Sequence, residues 1–191
     1  VILLLHLVAG EDCLGGVDDD DVVAAISVRG VGDLELAAQQ QEQQNADTWP
    51  KTFTVTLGGD TTLGSTDDLR KRDDCFENVA AEKGYGWFFS GLQTLFATDG
   101  LTLINFEGTL TDETSKKQKL YNFKGPAEYA DILTLGSVEA VNIANNHTLD
   151  YGQQGKEDTI ANLETAGIIV SGGGQLGIFE KNGVKVGMTG Y

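Results

Sequence analysis

Apolar positions recur along this chain with two periods, and from residue 52 onward they predict strands and helices in alternation. Phe53, Val55 and Leu57 alternate with Thr52, Thr54 and Thr56, the spacing of a half-buried strand, and Gly58-Gly59 breaks the pattern so that Asp60 falls on a loop. Residues 65–83 predict a helix with Asp67 and Asp68 near its start, and residues 90–98 a second one. The second helix leads through Asp99-Gly100 to an apolar strand over 101–106, with Glu107 at its end. Pro126 suits the first turn of a helix that reaches Leu135 and stops at Gly136. Val138, Val141, Ile143 and Ala144 form a short buried strand. Residues 152–166 then return as a helix with Ile160 and Leu163 on one face, followed by a buried strand over 168–170 that ends in a glycine turn at 172–174. Asn182-Gly183, between two short apolar runs, is a two-residue hairpin signal. Strands alternating with helices predict an α/β layered domain over residues 52–191.

The first 51 residues have a different texture. Residues 1–8 are apolar except for His6, too short to cross a membrane, and fit either a stray strand or the remnant of a secretory signal before Ala9-Gly10. Residues 11–51 carry ten acidic side chains against Arg29 and Lys51, with four consecutive Asp at 18–21 and a Gln-rich tract at 39–44. Such sequence has too few apolar groups to offset its ordering entropy, and it reads as an acidic low-complexity linker with one short possible strand at 22–28.

Charge narrows the partners. A formal net charge of −16 and a pI near 4.3 exclude a nucleic-acid backbone as partner, because phosphate binding needs clustered Lys and Arg. A polyanionic polymer would be repelled as well unless a local basic patch, bound cations or a partner protein offset the field. Lys116, Lys117 and Lys119 are the densest basic group, either a solvated loop or a basic lip for an anionic substrate. Cys13 and Cys75 have no metal-ligand spacing and define no disulfide framework.

Chemistry gathers where predicted strands end. In open α/β sheets ligands collect beyond the carboxyl ends of the strands, and the sequence Ala144-Asn145-Asn146-His147-Thr148-Leu149-Asp150-Tyr151-Gly152 begins at such an end. Asn146 offers a neutral oxygen to a metal, His147 can ligate or transfer protons near neutral pH, and Asp150 is close enough to orient the imidazole. The bland alternative is that these amides and carboxylates only cap the helix that starts near Gly152. Asp60 and Glu107 add carboxylates after two other strands.

The block Asn145-Asn146-His147-x-x-Asp150-Tyr151-Gly152 resembles the CapA family of capsule (poly-γ-glutamate) synthesis proteins, as do Gly59-Asp60 after a strand and the strand ending in Asn105-Phe106-Glu107-Gly108. That family is similar to the calcineurin-like metallophosphoesterases. The resemblance covers about residues 52–191 and implies the N-terminal part of a metallophosphoesterase-like sandwich of two β-sheets flanked by helices. It implies a metal-dependent hydrolase site with Asp60, Glu107 and Asn146 as ligands of divalent ions (Mn, Zn or Fe) and His147, supported by Asp150, as general acid. Asp60-Thr61-Thr62 departs from that superfamily's Asp-x-His, and Glu107 stands where a second Asp is expected. Implied partners are capsule-synthesis membrane proteins and an anionic polymer or phosphoester substrate, at the cell surface and with an anchor preceding residue 1. A binding or export component with a degenerate pocket is the competing expectation.

Overall fold

The structure, a computed structural model, describes residues 3–8, 25–28 and 52–191. Its main sheet has the order β2-β1-β3-β4-β7-β8, built from β1 (Leu3–Val8), β2 (Ala25–Val28), β3 (Thr52–Thr61), β4 (Leu101–Phe106), β7 (Ala140–Asn142) and β8 (Ile169–Ser171). The last four run parallel, and β1 and β2 add antiparallel on the open edge of β3. A parallel pair of two-residue strands, β5 (Thr109–Leu110) and β6 (Lys124–Gly125), and an antiparallel hairpin, β9 (Gly177–Lys181) and β10 (Val184–Met188), form two smaller sheets. The helices are α1 (Phe76–Lys83), α2 (Gln93–Thr98), α3 (Ala130–Leu135) and α4 (Gly152–Thr165). This is the expected α/β layering, with helices packed against a parallel sheet.

Strand parity sorts the apolar side chains onto two faces. Ile104, Phe106, Val141, Ile143 and Val170 project into a core shared with Ala80, Phe96, Ile132, Leu133 and Leu163 of the four helices. Phe53, Val55, Leu101 and Ala140 project the other way, where Val184 and Met188 of the hairpin cover them. Each fully buried Leu, Ile or Phe contributes about 1.5–3 kcal/mol relative to exposure, so both faces are strongly held and the register is fixed. The aromatic run of residues 85–89 packs against the helical side through Tyr85, Phe88 and Phe89, while Trp87 stays half exposed.

Two local predictions need correction. Gly58-Gly59 does not end the first strand: β3 continues to Thr61 through a register shift between Leu57 and Asp60, so Asp60 lies in a strand and not on a loop. Glycine is required at 58 because a Cβ there would sit 2.7 Å from Ile104 Cγ2. The helix predicted over 65–83 forms only at Phe76–Lys83, preceded by a single 3-10 turn at Leu69–Lys71. Long-range bonds claim the earlier residues: Ser65 N–H donates to Glu77 at 3.1 Å, Ser65 Oγ accepts from Phe76 N–H at 3.2 Å, and Arg70 donates to Glu77 Oε1 and to the Lys124 carbonyl. The helix ending at Leu135 likewise begins as a 3-10 turn at Ala127–Tyr129. At the hairpin, Asn182 and Gly183 both adopt positive φ, 55° and 75°, as a primed two-residue turn demands.

Of the linker expected over 1–51, the described parts are β1 and β2, so the first apolar run is a strand. Cys13, the Asp run at 18–21 and the Gln-rich tract lie outside the described residues. Among the described residues no helix is long and apolar enough to cross a membrane.

Candidate functional site

Parallel pairing brings the carboxyl ends of β3, β4, β7 and β8 to one edge, and a single polar rung crosses the four strands there. Asp60 pairs with Asn105, Asn105 with Asn142, and Asn142 with Ser171. One rung earlier on the same face stand Leu103, Ala140 and Ile169, all packed in or against the apolar core beneath the hairpin. The face therefore switches from apolar to polar within two residues of the edge. Side chains bond along the rung as cross-strand neighbours do: Asn105 Nδ2 donates to Asp60 Oδ1 at 2.7 Å and Asn142 Nδ2 to Asn105 Oδ1 at 3.3 Å.

The turn after β7 carries the imidazole. Asn145 Oδ1 accepts from the His147 backbone N–H at 2.9 Å, an Asx turn that sets the backbone direction there. Asn145 Nδ2 donates to Asn105 Oδ1 at 3.1 Å and to the Phe106 carbonyl at 2.8 Å. These residues do not cap the following helix: α4 has Tyr151 at its N-cap and no side-chain cap bond. The capping alternative thus fails, and what the amides do is hold the turn to the sheet.

Behind the turn, Asp150 is fully buried and His147 is 8% exposed. His147 Nδ1 lies 2.8 Å from Asp150 Oδ2, which also accepts from Phe123 N–H at 2.7 Å. An ionised carboxylate only accepts, so Nδ1 carries the proton and Nε2 is left to face the site. Lys119 pairs with Asp150 Oδ1 and donates to the Asn146 carbonyl at 2.9 Å. Its Nζ also lies 3.1 Å from Nδ1, but with Nδ1 protonated that approach is a like-donor contact and not a bond. Phe123 packs its ring against the imidazole at a centroid distance of 4.7 Å. On the open side, Nε2 is 3.8 Å from Glu107 Oε1.

Asp60, Glu107, His147 and Asp150 thus meet at one edge. The amides split differently from the sequence expectation. Asn146 is exposed and enters the hydrogen-bond network only through its backbone carbonyl, its side chain having no bond among the described residues, whereas Asn145, together with Asn105 and Asn142, makes the side-chain network. Of the lysines that fit either a solvated loop or a basic lip, Lys119 points inward to Asp150, and Lys116 is bound to Asp67, whose carboxyl it holds below the usual range. A signal for the missed rung exists in the sequence: each strand ends with a polar residue two positions after an apolar one, as in Leu103-x-Asn105, Ala140-x-Asn142 and Ile169-x-Ser171.

For a divalent cation the edge offers two carboxylates. Asp60 has one oxygen committed to Asn105, leaving the other for a ligand, and the Glu107 carboxylate accepts no hydrogen bond among the described residues. Among the described residues no group of three or more His, Cys, Asp or Glu converges as a metal cluster. The edge fits part of a cation's oxygen shell and not the whole of it.

Comparison with known proteins places this edge in context. The family model described as bacterial capsule synthesis protein PGA_cap matches residues 31–191. The chain is 26% identical over 125 residues to the PGA biosynthesis protein CapA of Bacillus subtilis (strain 168), a match covering 60% of this chain and 33% of that protein. The chain therefore spans about a third of the length of that relative.

Proposed function

The chain belongs to the bacterial capsule synthesis protein family, and from that premise we propose that its strand-end edge is part of a metal-assisted phosphoesterase-like site serving capsule polymer synthesis. The observation that carries this reading is the His147–Asp150 pair: a buried carboxylate 2.8 Å from Nδ1 orients an imidazole whose Nε2 opens toward Glu107. That arrangement suits proton transfer at Nε2, since Asp150 fixes the tautomer and steadies the imidazolium when Nε2 holds a proton. Nε2 would deliver that proton to a leaving oxygen, returning the ring to its neutral form, and Glu107, 3.8 Å away, would oppose the positive charge that the imidazolium carries before the transfer. Asp60, Glu107 and Asn146 are the residues that would hold a divalent ion, with further ligands from outside the described residues. When bound, such an ion polarises the scissile group and lowers the pKa of attached water. The substrate class is an anionic polymer or phosphoester, and capsule-synthesis membrane proteins at the cell surface are the proposed partners. With a net charge of −16, Lys119 turned inward to Asp150 and Lys116 paired with Asp67 at the surface, a bound cation is the simplest way for this chain to admit an anion.

The test is metal analysis and phosphodiester hydrolysis on the gene product that contains this chain. His147→Ala should lower turnover by about 10²- to 10⁴-fold while leaving metal content unchanged, whereas Asp60→Ala and Asn146→Ala should lower both. A wild-type protein that stays metal-free and inactive when supplied with Mn²⁺ or Zn²⁺ would leave a binding or assembly role in polymer export.

A further inference from the structure

We propose that Asn105 is a positioning residue at the centre of a one-way amide relay that couples the Asp60 carboxylate to the turn carrying His147. The inference rests on the site reading above, but its test needs no turnover, so the two can fail separately. The relay has three links. His147 N–H donates to Asn145 Oδ1 at 2.9 Å, Asn145 Nδ2 donates to Asn105 Oδ1 at 3.1 Å, and Asn105 Nδ2 donates to Asp60 Oδ1 at 2.7 Å. Every donor points toward Asp60. Its direction is forced from one end, because an ionised carboxylate has no proton to give and the Asn105 NH₂ must face it. With that amide fixed, its oxygen faces Asn145, whose NH₂ must turn toward it and whose oxygen is left for His147.

Hydrogen bonds aligned head to tail polarise one another, and a terminal anion strengthens the whole series. The negative charge of Asp60 is therefore felt at the His147 backbone, although Asp60 lies in β3 and His147 in the turn after β7. A ligand that drew charge from Asp60 would loosen the same turn. Asn142, donating to Asn105 Oδ1 at 3.3 Å, and the Phe106 carbonyl, accepting from Asn145 at 2.8 Å, brace the relay from the sides. They do not transmit along it.

The experiment is amide hydrogen exchange by NMR on this chain, read at His147 and, as a control for global opening, at Leu163 in the buried face of α4. Asn105→Asp keeps the acceptor for Asn145 but sets two carboxylates against each other at the first link. It should speed exchange at His147 by about tenfold, the worth of one hydrogen bond of ordinary strength, with Leu163 unchanged. The exchange of partners in Asp60→Asn/Asn105→Asp rebuilds the link with the NH₂ supplied by position 60, so His147 protection should return to within about twofold of wild type. Asp60→Asn alone, at an exposed position where folding is not at risk, removes the terminal charge and should speed His147 exchange about threefold. Wild-type exchange at His147 in Asp60→Asn and Asn105→Asp, or a double variant no better protected than Asn105→Asp, would overturn the relay and leave Asn105 a strand-end filler.

Discussion

The two ends of the parallel sheet hold similar side chains to opposite effect. Where β4 and β7 begin, Asp99 Oδ2 accepts from the Thr102 hydroxyl at 2.8 Å, and Glu139 Oε2 accepts from Thr102 N–H at 2.6 Å while its own N–H donates to the Thr102 carbonyl. Burial pushes both carboxyls above their ordinary range, and the nearby Asp99 charge pushes Glu139 further. Where the same strands end, Asp60 and Glu107 touch side chains and no backbone N–H among the described residues. A carboxyl buried against the neighbouring strand, as Glu139 is on the Thr102 backbone and Asp99 on the Thr102 hydroxyl, is a structural plug. One at an open strand end, whose partners are reorientable side chains, can exchange them for a ligand. Asp150 stands between these cases, bonded to the Phe123 backbone and to the imidazole at once.

Asp150 is where the comparison can be broken most forcefully. Asp150→Ala leaves the Lys119 cation, Phe123 N–H and His147 Nδ1–H without their shared acceptor in a fully buried setting. Removing one partner of a buried pair costs about 3–5 kcal/mol, and because Lys119 is partly solvated the lower part of that range applies. Urea unfolding reads this directly. A loss below about 1 kcal/mol would mean that the loop carrying Lys119 and Phe123 does not depend on Asp150.

What could be read in the sequence follows from which interactions are local. Alternation over 52–57, the apolar runs at 101–106 and 168–170, and Asn182-Gly183 each encode their own geometry, and β3, β4, β8 and the hairpin appear where they point. The polar rung is different: Asn105 meets Asp60 across 45 positions and Asn145 across 40, and only strand register decides that they touch. The same holds for Lys119, whose inward turn depends on a carboxylate on another loop. Residues 65–75 misled for a related reason. Their charged, helix-compatible composition is overridden by bonds from Ser65 and Arg70 to Glu77 and Lys124. Of the Asn145-Asn146 pair, composition distinguishes nothing, and only the bonds of the folded turn to Asn105 and the Phe106 carbonyl single out Asn145 for the sheet.

The opposite end of the sheet can be probed through pH. Asp99 and Glu139 have folded pKa values raised above 3.8 and 4.5, chiefly by desolvation, so the folded chain holds those protons more tightly than the unfolded chain does. Their contribution to stability is complete below the unfolded values and is lost as pH rises through the raised folded ones. Glu139→Gln keeps an acceptor for Thr102 N–H and cannot ionise. Its unfolding free energy relative to wild type should therefore improve between pH 4 and pH 7, a trend thermal unfolding at several pH values will show. A relative decline over that window would mean that the ionised carboxylate is the form the fold favours, and this end would no longer contrast with the other.

The smallest expected effect tests what tempers that burial. Lys181, on the exposed side of the hairpin, donates to the carbonyls of Asp99 and Gly100 at 3.3 and 3.2 Å, and its charge opposes the upward shift of both carboxyls. Lys181→Met keeps the aliphatic stem over the hairpin and removes only the cation. Exposed charge contacts contribute about 0–1 kcal/mol, so stability at pH 4 should change by less than about 0.5 kcal/mol. With the cation gone, each carboxylate ionises in a more hostile setting. The folded pKa values then move further from the unfolded ones, and the fall in stability between pH 4 and pH 7 becomes steeper than in wild type. In a Glu139→Gln background part of that steepening should vanish, because one of the two groups that Lys181 serves no longer titrates. If Lys181→Met instead lowers stability equally at pH 4 and pH 7, the lysine acts only through its carbonyl bonds, and the carboxylates at this end of the sheet are plugs that no nearby charge modulates.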